Sequence, residues 1–228
     1  YRGTGIKAIN SNFNVLKNQA NVNNLNECHP PSQIEPPCLF QSLSIGIDAV
    51  YLIPTYYTGY RIKVLNNRFI NCRHAMHFAN GNNISVFENE IFIEDTNLGQ
   101  EPIYQLDGNY GITMNGVSQF QIIQNKIQIN DLGRFSHGIS IINSDYISTI
   151  GNSVIYKNET TAQTFQNNKN IALKVSESSS NLKIECNRNF NVSTDWVFNP
   201  YTNILKIGST NYSSGNLFSK EGPCVTSP

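Results

Sequence analysis

One eight-residue pattern of apolar and polar positions recurs six times along the chain: apolar, any, apolar, any, any, Asn, any, any. The asparagines of the six copies are Asn18, Asn67, Asn89, Asn125, Asn152 and Asn187. Apolar residues that alternate with period two mark a short β-strand with one face turned inward. Because one such unit cannot bury its apolar face alone, repeated units stack on one another. The pattern therefore predicts an all-β solenoid.

A second pattern, small-apolar-any-apolar, precedes each copy and begins at Gly5, Gly46, Ala75, Gly111, Gly138 and Ala172. Each coil is predicted to hold two short strands with a bend between them, followed by a third apolar pair such as Ile127 and Ile129. The predicted coils are roughly 5–45, 46–74, 75–110, 111–137, 138–171 and 172–203. A weaker seventh lies near Leu205 and Ile207, so residues 204–228 are predicted to form a terminal coil or cap.

The long excursions between strands fall mostly after the third strand of a coil, at residues 23–44, 94–109, 157–170 and 193–203. Insertions gathered on one side of a solenoid commonly form its binding face. The last of these excursions holds Trp196. Residues 50–60 lie instead in the other bend and place Tyr56, Tyr57 and Tyr60 on one loop, which is a candidate glycan platform.

The recurring asparagines have a physical explanation that is structural. Asn tolerates the left-handed backbone conformation of a sharp bend, and its side chain bonds to local backbone groups. Stacked about 4.8 Å apart, Asn amides also bond to one another as a ladder. We therefore predict a structural Asn column.

These strand–bend–strand coils ending in Asn resemble the right-handed parallel β-helix of the pectin-lyase-like family, in particular its secreted bacterial surface proteins with Asn-rich repeats. The resemblance covers most of residues 3–207. It implies one β-helix domain of about six to seven coils over residues 1–228, as part of a longer protein. The fold hosts lyases, hydrolases, phage tailspikes and non-catalytic surface proteins, so the fold alone does not assign a function.

Two segments resemble elements of the polygalacturonase active site. Ser136-His137-Gly138 is similar to its Gly-His-Gly element, and Arg61-Ile62-Lys63 is similar to its Arg-Ile-Lys element. Their order is reversed, and the chain contains no Asp-Asp pair. A glycosidase of this type needs paired carboxylates across the scissile bond. Because the acidic residues are scattered over different bends, we expect no metal site and no cofactor.

Equivalent outward positions of the first strand form a predicted column of Lys7, Asp48, His77, Thr113, Ser140 and Lys174. Asp48 lies one coil from His77, where an acid can orient a histidine as a general base. The alternative is a solvated ion pair of little energetic consequence. If the chain is an enzyme, its candidate catalytic residues are Asp48, His77, His137 and Arg61.

A neighbouring column contains three flat polar rings on successive coils: His74, Tyr110 and His137. Such rings combine an apolar face with a hydrogen-bonding edge, so they could stack on a sugar. Ordinary side-chain stacking along the coil is the alternative.

Composition narrows the range of partners. Only 14% of residues are charged and the formal net charge is zero, which argues against a nucleic-acid partner held through phosphates. No run of 18 apolar residues exists, so no membrane span is expected. The 34 asparagines give a polar, uncharged surface that suits contact with sugars, although a nucleotide bias in the genome also enriches Asn.

Five cysteines bear on the cellular compartment. Cys28 and Cys38 bracket a proline-rich loop, and we predict a disulfide between them because little else would order that loop. Cys72 and Cys186 are predicted to be buried thiols, and the candidate partners of Cys224 are Cys186 and a segment beyond this sequence. The spacing fits no zinc motif. The cysteines favour an extracellular or cell-surface location.

Three functions remain open at this stage. The first is a non-catalytic secreted or surface module that binds a glycan or a protein, or serves as a rigid display. The second is a polysaccharide lyase or glycoside hydrolase on the same fold. The third is a self-assembling structural subunit, because open strand edges at the ends of a coil invite pairing.

Overall fold

The computed structural model describes residues 4–9, 14–16, 38–41, 43–51, 62–94, 108–130, 135–156, 170–190, 194–198, 204–206 and 216. These residues form twenty β-strands and no helix. Sheet A contains β1 (Thr4–Ile9), β4 (Ile45–Val50), β7 (His74–Ala79), β10 (Gly108–Asn115), β13 (Phe135–Ile142), β16 (Asn170–Ser176) and β19 (Thr194–Phe198). Sheet B contains β2 (Asn14–Leu16), β5 (Ile62–Leu65), β8 (Asn82–Phe87), β11 (Ser118–Ile123), β14 (Asp145–Ile150), β17 (Ser180–Glu185) and β20 (Ile204–Lys206). Sheet C contains β3 (Leu39–Gln41), β6 (Arg68–Ile70), β9 (Glu90–Glu94), β12 (Lys126–Asn130), β15 (Ser153–Tyr156) and β18 (Arg188–Phe190).

The chain visits sheets A, B and C in turn, and each circuit is one coil of a solenoid. Neighbouring strands within each sheet are parallel, because every coil runs in the same sense as the one before it. Sheets A and B have seven strands and sheet C has six. The predicted parallel β-helix of about six to seven coils is confirmed, including the weak seventh coil, which contributes β20.

Equivalent side chains of successive coils lie one above another in the interior. In sheet A, the inward position passes in register from Ile47 to Met76, Ile112, Ile139 and Leu173. All five are buried and belong to one hydrophobic cluster that draws on all three sheets. Because parallel strands lie about 4.8 Å apart, each coil covers the apolar face of its neighbour.

The small residue that opens each repeat is explained by the close approach of neighbouring coils. A Cβ atom added to Gly111 would lie 2.4 Å from the carbonyl oxygen of Gly138, and one added to Gly46 would lie 2.6 Å from that of Ala75. Such contacts leave no room for a larger side chain. The small residue that begins each small-apolar-any-apolar pattern is therefore explained by the close packing of neighbouring coils.

A continuous hydrogen-bonded ladder of asparagines runs along the bend between sheets B and C. The backbone N–H of Asn67 donates to Oδ1 of Asn89 at 2.9 Å, and the same bond links Asn89 to Asn125 and Asn125 to Asn152, both at 3.0 Å. Each side-chain Nδ2 also donates to the Oδ1 of the next coil and to a backbone carbonyl of the preceding coil. The predicted ladder is confirmed from Asn67 to Asn187, and Asn18 lies outside the described residues.

Two details of the ladder differ from the sequence prediction. The left-handed backbone position belongs to the residue before each ladder asparagine, as in Glu88 (φ 52°) and Gln124 (φ 55°). The ladder asparagines themselves are buried and hydrogen-bonded, as in Asn125, which is only 1% exposed. Asn216, which lies outside the repeated pattern, adds a further rung by accepting the backbone N–H of Asn187 at 2.8 Å.

Other local predictions need correction. Trp196 lies in β19 and packs, partly buried, against the core, so it is not in a loop excursion. Residues 39–41 form β3 inside the predicted loop 23–44, which puts that excursion between β2 and β3. Cys186 is exposed in a bend at φ 55°, whereas Cys72 is buried as predicted. Cys28 lies outside the described residues, and its pairing with Cys38 stays a prediction.

The ladder generates a stability prediction. Replacing Asn125 with alanine leaves the backbone N–H of Asn89 without its acceptor and removes one of the acceptors of the Nδ2 of Asn89. It also removes the side-chain donor to the carbonyls of Val86 and Ile123. Buried groups left unpaired cost about 1–3 kcal/mol each. We therefore expect Asn125→Ala to lower the free energy of unfolding by at least about 2 kcal/mol in urea denaturation.

The matched control is Asn115→Ala, because Asn115 is exposed. Its free energy of unfolding should stay within about 0.5 kcal/mol of the parent. Equal effects of the two substitutions would contradict a structural ladder.

Candidate functional site

The predicted contact between Asp48 and His77 is present on the outer side of sheet A. β4 and β7 are adjacent, with Asp48 directly opposite His77. Oδ1 of Asp48 and Nδ1 of His77 lie 2.8 Å apart, and the side chains are 16% and 27% exposed. When Nδ1 carries the proton and donates a hydrogen bond to the carboxylate, Nε2 keeps its lone pair. Asp48 thus orients the imidazole of His77 so that its Nε2 can accept a proton.

The column that contains this pair offers few other reactive groups. The register continues from His77 to Thr113, Ser140 and Lys174. Thr113 and Ser140 are 7% and 2% exposed, so neither hydroxyl is accessible. Asp48 is the only carboxylate of the column, whereas hydrolysis of a glycosidic bond uses two.

The three predicted rings lie on successive strands as expected. His74 and Tyr110 have ring centroids 4.3 Å apart with the planes tilted by 46°, and Tyr110 meets His137 edge-on at 5.1 Å. Both imidazoles are buried, at 4% and 6% exposure. The rings pack against one another, which favours the alternative of stacking along the coil over a sugar platform.

Burial also sets the protonation of these two rings. The pKa of His74 is lowered from 6.5 to about 3, chiefly by the loss of hydration on burial and to a smaller extent by the nearby His77, Arg73 and His137. Burial lowers the pKa of His137 to about 4, with Lys174 as a second cause. Both rings are therefore neutral at pH 7, and they pack against Tyr110 in sheet A.

The resemblance to polygalacturonase motifs has a simple structural origin. Gly138 and Ile139 are buried, and so is Ile62. Small and apolar residues at these places follow from the strand pattern of the repeat. Arg61 and the predicted platform residues Tyr56, Tyr57 and Tyr60 lie outside the described residues.

A groove of about 410 Å³ crosses the outer face of sheet B. It spans strands of four successive coils, β5, β8, β11 and β14. Its lining is almost entirely amides and hydroxyls with one cation and one exposed aromatic ring: Lys63, Asn83, Ser85, Gln119, Phe120, Gln121, Tyr146 and Ser148. Sequence reasoning followed the outward column of the first strand and overlooked the equivalent column of the second, which holds Ser85, Gln121 and Ser148.

Tyr146 is the unusual residue of this groove. It is 59% exposed and holds a left-handed backbone, φ 53°. Equivalent positions in other coils have the same conformation but carry Asn83, Gln119 and Asn181. A bulky residue in this conformation is uncommon, because its Cβ approaches the following carbonyl. The signal in the sequence is thus a lone tyrosine where other coils place an amide.

Asp145 holds this strained bend in place. Its Oδ1 accepts the backbone N–H of Tyr146 at 2.9 Å, the hydroxyl of Ser180, and the Nδ2 of Asn181 at 2.8 Å. This carboxylate oxygen thereby ties the backbone N–H of Tyr146 to two side chains of the next coil. Tyr146 is therefore presented to solvent from a rigid support.

The described residues contain no cluster of three or more His, Cys, Asp or Glu side chains able to hold a metal ion. Nor does this part of the chain contain a helix that is both long and apolar enough to cross a membrane. Comparison with known families, characterised proteins and solved structures finds no match to this chain. The function is therefore inferred from the surfaces of the coil themselves.

The buried imidazoles predict acid sensitivity. The folded protein binds fewer protons than the unfolded chain between pH 6.5 and about 4, because burial lowers the pKa of His74 and His137. Above pH 6.5 both rings are neutral in the folded and the unfolded chain, so they do not lower the free energy of unfolding. As the pH falls from 6.5 towards their lowered pKa values, the unfolded chain takes up protons first and the free energy of unfolding decreases. We expect the free energy of unfolding to decrease by up to about 1.4 kcal/mol per pH unit for each ring.

Urea denaturation at pH 7.5, 6 and 5 measures this slope. A double variant, His74→Phe with His137→Phe, should flatten it, whereas Tyr110→Phe keeps both imidazoles and should keep it. A slope that survives in the double variant would assign the acid sensitivity to other groups.

Proposed function

We propose that this chain is a non-catalytic secreted or cell-surface β-helix module that binds a glycan along the outer face of sheet B. The observation that carries the proposal is the polar groove whose lining includes the exposed residue Tyr146. Sugar recognition combines hydrogen bonds to hydroxyl groups with contact between a pyranose face and an aromatic ring. The groove offers both kinds of contact.

The chemistry of the lining supports a glycan over a charged macromolecule. The amides of Asn83, Gln119 and Gln121 each donate and accept hydrogen bonds, as sugar hydroxyls require. Ser85 and Ser148 add hydroxyls that also do both. None of the described lining residues is acidic, and the only formal charge among them is that of Lys63. A peptide partner would be expected to need a larger apolar centre.

The regular spacing of the coils supports a linear ligand. Outward groups at equivalent positions repeat about every 4.8 Å, so four coils extend over roughly 14 Å along the coil axis. This length suits a short run of pyranose rings. Because the backbone beneath is fixed by β-ladders and by Asp145, binding would need little ordering of the protein.

The non-catalytic form of the proposal is supported by the separation of the groove from titratable groups. Lys63 is the only ionisable side chain among its described lining residues apart from the tyrosine hydroxyl, and this described lining offers no acid or base suited to glycosidic bond cleavage. The low charge of the chain, the Pro-rich Cys28–Cys38 loop and the resemblance to secreted β-helix proteins support an extracellular setting.

Tyr146 provides the test of glycan binding. Tyr146→Asn restores the amide found at the equivalent position of other coils, so the free energy of unfolding should be unchanged or higher by up to about 1 kcal/mol. The same substitution should weaken binding to glycans on an array at least about tenfold, because the stacking ring is lost.

Tyr146→Phe is the matched control and should keep most of the affinity. Destabilisation by Tyr146→Asn would instead indicate that the ring has a packing role. Full binding by Tyr146→Asn, or no glycan bound by the parent protein, would refute the proposed site.

A second candidate function is a polysaccharide lyase or glycoside hydrolase centred on sheet A. The specific observation in its favour is the 2.8 Å contact between Asp48 and His77, which orients an imidazole on the coil surface. Arg61 and His137 were additional candidates, but His137 is buried and has a lowered pKa. The binding proposal is preferred because this pair lacks a second carboxylate in its column.

A panel of polysaccharides assayed for new reducing ends and for unsaturated products decides between the two. We expect no turnover by the parent protein. Turnover that falls at least about a hundredfold in Asp48→Asn and in His77→Ala would establish the enzyme instead, since positioned acid–base groups contribute about 10²–10⁴ in rate.

A further inference from the structure

We infer that the groove on sheet B selects a glycan with an anionic substituent, held at one end by Lys63 while a sugar ring stacks on Tyr146 at the other. The inference rests on the proposed glycan-binding function and adds the class of ligand and its direction along the coil. The anionic group is a carboxylate or a sulfate, because either forms a charge-assisted hydrogen bond with an ammonium.

The two ends of the groove are far apart along the coil axis. Lys63 lies on β5 and Tyr146 on β14, three coils further along. The direct register runs from Lys63 to Ser85, Gln121 and Ser148. At about 4.8 Å per coil, the cation and the aromatic ring are separated by roughly 14 Å along the axis. One ligand reaches both only if it is extended and about three sugar rings long.

Lys63 is available to an incoming anion. Its side chain is exposed, and its ammonium has no hydrogen bond or ion pair with any residue that the structure describes. Lys183, at the equivalent position beyond Ser148, differs in this respect because it is paired with Glu185 at 3.1 Å. Of Lys63 and Lys183, only Lys63, within the groove, lacks a described carboxylate partner.

The surrounding charges do not oppose an anion. Among the residues that the structure describes, the groove lining contains no Asp or Glu, and their formal charge is that of Lys63 alone. Asp145, beside Tyr146, already accepts three hydrogen bonds from its neighbours. Its charge is therefore partly satisfied by donors and lies at the opposite end from Lys63. The groove is accordingly polar and neutral along most of its length, with a positive end.

The chemistry of the middle of the groove completes the selection. Ser85 and Gln121 lie between the two ends and present groups that donate and accept. These groups suit the hydroxyls of an uncharged sugar ring and give no preference for an anion. The structure thus assigns ring recognition to Tyr146, hydroxyl recognition to the central amides, and the choice between neutral and anionic glycans to Lys63.

The test uses a glycan array that carries neutral hexose oligosaccharides beside hexuronate and sulfated forms of the same linkage. The parent protein should bind anionic forms most strongly. Lys63→Gln should weaken binding of the anionic forms by roughly fivefold, because an exposed ion pair contributes little more, and should leave neutral forms unchanged. Raising the salt concentration should reproduce this selective loss in the parent protein.

The matched control is Lys126→Gln, which removes an exposed lysine from sheet C, where it lies over the ring of Phe92 at 5.9 Å. It should not change the preference. Comparing the binding of the hexuronate and sulfated glycans identifies which anionic group the groove prefers. Neutral glycans bound best, or anionic binding that persists in Lys63→Gln, would overturn the inference while leaving glycan binding intact. No binding to any glycan would overturn both.

Discussion

Every feature of this protein depends on the register between coils, and the asparagine ladder is the interaction that fixes that register at a bend. Each rung joins a backbone N–H and a side-chain amide of one coil to the side-chain oxygen of the next, as from Asn89 to Asn125. A slip by one residue would turn the apolar set outward and break every rung at once. Buried amides that bond in sequence therefore make the stacking of coils all-or-none.

Much of the fold could be predicted from the sequence because its constraints repeat. The alternation of apolar residues, the small residue at Gly111 and the asparagine at Asn125 each recur at equivalent places in other coils. A departure from the pattern in one coil therefore leaves it recognisable in the others. The location of the left-handed residue could not be predicted, since Glu88 and Gln124 carry no signal for it. Trp196 was misplaced because β19 lacks the small residue that begins the other strands of sheet A.

For the candidate sites too, the features that follow from the repeated pattern could be predicted, and those that depend on the surrounding packing could not. The contact between Asp48 and His77 followed directly from column positions. The burial of His74 and His137 did not, because alternation along a strand cannot tell a packed outer face from an open one. The groove on sheet B depends on Tyr146, a single departure from the repeat. In a solenoid, a residue that breaks the pattern at a cost in backbone strain is the more informative sign of function.

Native-state hydrogen exchange at the backbone amides of Asn89, Asn125 and Asn152 tests the ladder most directly. These amides donate to buried side-chain oxygens of the next coil, so they should exchange only through global unfolding, with the same free energy as the core amides of sheet A. Exchange at the rate of exposed bends, or with a different free energy in each coil, would show that the rungs do not hold the coils together.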